Sequence, residues 1–206
     1  ATILGTAQST LTNFPYLRKI WKHNTEEERL LGVSLTGIMD NPLTNGTKNG
    51  LEQALEHLRN VAIKTNAEWS QKLGVPMSAA ITCVKPSGTV SQLVDSASGI
   101  HARHSEYYIR TVRGDNKDPV TQFMIQQGVP SEPDVTKPND TTVFSFPIKS
   151  PKGSITRNDL TAIQQLEMWL TYQRYWCEHK PSVTISVRDE EWMEVGAFVF
   201  KHFDEM

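Results

Sequence analysis

Cysteine is scarce in this chain. Cys83 and Cys177 are the only two among 206 residues and lie far apart, which excludes a disulfide framework. No glycine, four residues and Gly-Lys-Ser/Thr occur in the order a Walker loop requires, because Lys85 precedes Gly88 rather than following it. The G-x-G-x-x-G fingerprint of dinucleotide sites is also missing. No apolar run approaches the ~18 residues of a membrane span, and no secretory leader is legible, so the expectation is a cytoplasmic protein without membrane contact. A basic surplus is absent as well. The net charge is -2, which argues against direct nucleic-acid binding. The carboxylates are scattered over capping positions and helix faces, with no pair spaced for general acid–base work.

What is present folds. Apolar residues make up 38% and charged residues 21%, the balance of a chain with a packed core, and the length suits one domain or one large piece of a bigger one. Helical periodicity covers Ile3, Leu4, Ala7 and Leu11, and Thr25 with Glu28 has the form of a capping box. Val33 and Leu35 alternate like a strand, and Asn41–Gly46 reads as loop. Leu51, Leu55, Leu58, Ala62, Trp69 and Leu73 keep a helical period that Gly74 and Pro76 stop. With the β-rich run Ala79–Val84 this predicts a β–α–β unit. Further strands are expected at 106–113, 141–148 and 182–187. A helix should start at Asp118-Pro119, with Val120, Phe123 and Met124 inward, and end at Gly128. Thr156–Asp159 is read as the cap of a helix burying Leu160, Ile163, Leu166 and Leu170. A final helix should open at Asp189 and carry Trp192, Val195 and Val199. Strands alternating with long helices indicate an α/β fold with a largely parallel sheet. Ala1 falls inside one helical pattern and Met206 follows another, so both ends read as those of a piece of a longer chain.

The most informative stretch is Ile81–Ser91. A β-rich run meets Pro86, then Ser87-Gly88-Thr89, then residues able to begin a helix. The first N–H groups of a helix lack intrahelical partners and carry partial positive charge, so such a turn can hold an anion. Gly88 permits close approach, and Ser87, Thr89 and Ser91 offer hydroxyls. The same residues also suit plain capping of a strand-to-helix turn. Elsewhere the chemistry is thin. Cys83 sits mid-strand, where packing explains a thiol, and Cys177 and His179 are too close in sequence to face each other on a helix. His101 and His104 have ligand spacing without the further ligands that zinc requires. Lys85, Arg103, Arg110 and Arg113 flank the turn, either raising its potential or facing solvent.

Val84–Ser91, with Ser98-Gly-Ile-His101 and Tyr107–Arg113, resembles the class II, adenosylcobalamin-dependent ribonucleotide reductases, the monomeric triphosphate-reducing kind above all. Ala1–Thr6, Glu27–Asp40, Phe144–Pro151 and Trp176–Ser186 match the same family in collinear order, so the likeness covers essentially the whole chain. The resemblance implies a C-terminal part of a ten-stranded α/β barrel, spanning residues 1–206. It places the substrate's phosphates at Ser87, Gly88, Thr89, Val90 and Ser91. Three or four charge-assisted bonds of about 1.5–3 kcal/mol would supply much of a micromolar affinity. It further implies adenosylcobalamin as cofactor of the complete enzyme, a ribonucleotide substrate, a thioredoxin-type reductant, and chemistry begun by a cysteine thiyl radical. The family's Asn-x-Cys-x-Glu radical motif is absent from this sequence, and neither Cys83 nor Cys177 matches a family cysteine. The chain is therefore expected to contribute no catalytic residue, to bind no metal itself, and to need the N-terminal remainder of a reductase for activity. Two alternatives remain: a nucleotide-binding module without catalysis, and an unrelated phosphate-binding barrel for which Lys85 is the one available base.

Overall fold

The computed structural model describes residues 1–206 and divides them into two units, residues 1–103 with 153–206 and residues 104–152. In chain order the first unit begins with α1 (Thr2–Gln8), α2 (Lys19–Glu28), β1 (Val33–Ser34), a 3₁₀ turn at Ile38–Asp40, α3 (Leu51–Leu73), β2 (Thr82–Cys83) and α4 (Val90–Leu93). The second unit holds β3 (Tyr107–Asp115), α5 (Pro119–Gln126), β4 (Ser131–Pro133) and β5 (Thr141–Lys149). The first unit resumes with α6 (Ala162–Tyr175) and α7 (Trp192–Lys201).

The predicted β–α–β unit is present. β1 and β2 pair in parallel, Val33 with Thr82 and Ser34 with Cys83, and α3 forms the crossover between them. α3 spans the predicted residues and ends at Gly74. Its inward stripe carries Leu55 and Ala62, and also Asn66, which is fully buried. The Asn66 amide donates to Thr6 Oγ1 (3.0 Å) and Ser78 Oγ (3.1 Å) and accepts from the Ser78 N–H (3.0 Å), tying α1 to the segment after α3. The core of this unit gathers Ile38, Met39, Leu55, Val84, Ala97, Ile100, Trp169, Leu170, Tyr172 and Trp176. The polar atoms of its aromatic rings are matched: Trp169 Nε1 donates to Pro181 O (2.8 Å), Trp176 Nε1 to Cys83 O (2.7 Å) and Tyr172 OH to Thr44 O (2.7 Å).

In the second unit β5 lies between β3 and β4, both pairings antiparallel. Asp118 caps α5 as expected, accepting from the Val120 N–H at 2.8 Å.

Several expectations are corrected. The structure is α/β with two small sheets; the parallel one pairs strands two residues long, and the larger sheet is antiparallel. Thr25–Glu28 opens no helix. α2 starts at Lys19 and ends at Glu28, where Arg29 turns left-handed (φ 45°), and the Glu26 carboxylate accepts from Thr12 Oγ1 (2.7 Å) instead. Thr156–Asp159 closes a turn, with Thr156 N and Oγ1 both on Asp159 Oδ2, and the capping box that starts α6 is Thr161 with Gln164. Leu160 consequently precedes the helix, while Leu166 and Leu170 are buried as expected. Residues 182–187 alternate in burial but form no strand, since their one bond to β2's continuation is Ser182 N to Val84 O (2.9 Å). The α5 stripe is exposed at Val120 and Phe123, where Thr121 is the buried residue, and Trp192 on α7 is exposed too.

Candidate anion-binding site

β2 runs into the turn Lys85–Thr89, and α4 follows at Val90. Ser87 occupies the left-handed region (φ 44°), which a non-glycine residue adopts at a cost. The structure divides the five predicted residues into two sets. Gly88, Thr89 and Val90 are exposed, and a Cβ placed on Gly88 would meet no atom within 4 Å. The N–H groups of Thr89 and Val90 donate to no carbonyl of the chain. Ser91 is turned inward and fully buried, and both its N–H (3.0 Å) and its hydroxyl (2.5 Å) donate to Ser87 O. Ser87 is half-buried, with its hydroxyl 2.9 Å from Thr36 Oγ1. The Thr89 and Val90 amides at the open side of a bent turn therefore have no carbonyl partner, and two serines brace it from behind.

A second turn, Asp95–Gly99, supports the first. Ser96 N donates to Ser91 O (2.9 Å), and the hydroxyls of Ser91 and Ser98 lie 2.8 Å apart. Gly99 (φ 50°) passes so close beneath Lys85 that a Cβ there would lie 2.7 Å from the Lys85 carbonyl oxygen, so only glycine fits. The Ala97 carbonyl accepts from Gly37 N (2.7 Å) and Thr36 Oγ1 (3.0 Å), and the Ala97 N–H donates to Asp40 Oδ2 (2.7 Å). Asp40 in turn takes a bidentate bond from Arg103, Nε to Oδ1 at 2.9 Å and Nη2 to Oδ2 at 2.8 Å, and a third from Ser154 Oγ (2.9 Å). Burial alone would raise the Asp40 carboxyl; Arg103, the Ala97 N–H and Ser154 outweigh it and hold the group below the usual carboxylate range.

The flanking cations divide as well. Arg103 is committed to Asp40, and in the second unit Arg113 pairs with Asp134 at 2.7 Å. The Lys85 ammonium lies over Gly32 of the segment entering β1. Cys83 and Cys177 are free thiols, each 4% exposed. Burial raises both, Cys177 to about 12 with the neighbouring Cys83 adding to it, so neither is a thiolate near neutral pH. His101 is lowered by burial, and no group of three or more His, Cys, Asp or Glu is placed to hold a metal. Thr36, Asp40, Ala97 and Ser98 were not singled out by residue type. The signal of Thr36, Asp40 and Ser98 lay in the stretches Glu27–Asp40 and Ser98–His101, which the family likeness had marked and which the fold now places against the turn; Ala97 lies outside both.

Comparison with known proteins agrees with that likeness. The chain is 30% identical to an adenosylcobalamin-dependent ribonucleoside-triphosphate reductase of Euglena gracilis over 82% of its length, and 27% identical to one of Lactobacillus delbrueckii subsp. bulgaricus over 92%. This chain is a relative of those reductases. It spans only 24% and 29% of their respective lengths. The crystal structure of a B12-dependent, class II ribonucleotide reductase superposes on 98% of the chain and 33% of its own, with a TM-score of 0.81 at 24% identity, which establishes a shared fold. No family model matches the chain. No helix is long and apolar enough to cross a membrane.

Proposed function

We propose that this chain is the part of an adenosylcobalamin-dependent ribonucleotide reductase that holds the phosphates of a ribonucleoside triphosphate, within a ten-stranded α/β barrel completed by the N-terminal remainder of the enzyme. The observation that carries the proposal is the open face of the Ser87–Ser91 turn. There the Thr89 and Val90 N–H groups lack carbonyl partners beside a glycine with nothing over it. Gly88, Thr89 and Val90 line the open face, and Ser87 and Ser91 shape the turn. Preorganised donors bind an anion without first having to be ordered.

The remainder of the enzyme carries the radical chemistry, with a thioredoxin-type protein as reductant. Both thiols of this chain are buried and protonated, so they take no part in it. The cobalamin supplies that chemistry by homolysis of its cobalt–carbon bond. No step through the cofactor is assigned to the residues of this chain.

Gly88→Val tests the site. A β-branched side chain would occupy the space over the turn, and calorimetric titration with a ribonucleoside triphosphate should show affinity reduced by about tenfold or more, the equivalent of one lost charge-assisted bond. Unchanged affinity would remove the assignment.

A further inference from the structure

Thr36 lies two residues beyond β1, exposed, yet its hydroxyl is engaged on three sides: Ala97 O at 3.0 Å, Ser87 Oγ at 2.9 Å and the Gly99 N–H at 3.5 Å. A hydroxyl has one proton to give and two lone pairs to offer. The Ala97 carbonyl can only accept, so in this structure the Thr36 proton points to it and the Ser87 proton points to Thr36. Ser87 Oγ then presents lone pairs outward. That orientation suits a donor and opposes a phosphate oxygen.

Rotation about the Thr36 Cβ–Oγ1 bond reverses the arrangement. With its proton turned to Ser87 Oγ, Thr36 releases Ser87 to donate to an anion, and Ala97 O keeps the Gly37 N–H at 2.7 Å. No group is left buried without a partner, and no proton leaves the chain. The same hydroxyl connects the strained Ser87 (φ 44°) to the Asp95–Gly99 turn that Asp40 and Arg103 hold. The geometry points to Thr36 as a positioning residue for the anion turn, which holds Ser87 in its left-handed conformation and sets the direction of its hydroxyl proton. This inference rests on the phosphate reading above, and it has a consequence that does not require a ligand.

The test compares Thr36→Val, which keeps the shape and removes the hydroxyl, with Thr36→Ser, which keeps the hydroxyl. It uses the 206-residue chain with two readouts. The first is affinity for inorganic tripolyphosphate by calorimetry. The second is hydrogen exchange of the Ser91 amide, which donates to Ser87 O, measured by NMR without ligand. Thr36→Val should bind tripolyphosphate about tenfold more weakly, one hydrogen bond's worth, and exchange the Ser91 amide several-fold faster. Thr36→Ser should restore both, which general destabilisation would not produce. If valine and threonine exchange Ser91 at the same rate, Thr36 positions nothing. If the unsubstituted chain binds no tripolyphosphate, the phosphate reading fails, and the exchange comparison still decides the role of Thr36.

Discussion

The two units solve the problem of placing loops in opposite ways. Residues 104–152 form a nine-residue antiparallel ladder between β3 and β5, yet bury few side chains, Phe144 being the largest. The other unit has strands of only two residues, and it contains the aromatic core and every buried polar residue that supports the anion turn. Regular hydrogen bonding therefore does not coincide with positional precision. In the first unit precision comes from side chains that bond to backbone: Asp40 to Ala97, Thr36 to Ala97, Ser91 to Ser87. Such bonds fix single residues of irregular segments, where no ladder exists to do so.

The sharpest way to break this contrast is to remove the arginine of each unit's carboxylate pair. Arg103→Leu leaves Asp40 without its guanidinium, and losing one partner of a buried pair costs about 3–5 kcal/mol. The Arg103 side chain is 5% exposed, whereas that of Arg113 is 68% exposed. Arg113→Leu should therefore shift a urea transition far less. Equal shifts from the two substitutions would deny that burial of the guanidinium sets the cost of losing it.

A smaller effect concerns the thiols. Because burial holds Cys83 and Cys177 protonated, neither should be alkylated by iodoacetamide at pH 8 in the native chain, and both should react in denaturant, read by intact mass. Rapid labelling of Cys177 in the native chain would show that the first unit opens around it.

Much of this was legible in the sequence, for identifiable reasons. α3 and the strand–turn–helix at Thr82–Leu93 announce themselves because local periodicity and glycine placement determine them. The errors arose where a distant partner decides. Thr25–Glu28 has the form of a helix start, but its helix had already begun at Lys19. Val183, Ile185 and Val187 alternate in burial without a neighbouring strand to pair with. The braces of the site were hidden for the same reason. Asp40 and Arg103 are 63 positions apart, and nothing in either residue's neighbours announces the other. Residue type also suggested that the Ser91 hydroxyl would face a ligand, whereas the fold directs it into the turn.

The central claim, that Ser87–Ser91 is the phosphate site, is tested most directly by titrating the ¹⁵N-labelled chain with a ribonucleoside triphosphate and following amide shifts. Saturable shifts should be largest at Gly88, Thr89 and Val90, with smaller ones at Ser91 and Ala97. Saturable binding whose shifts centre on another part of the chain, or no binding at millimolar nucleotide, would contradict the account.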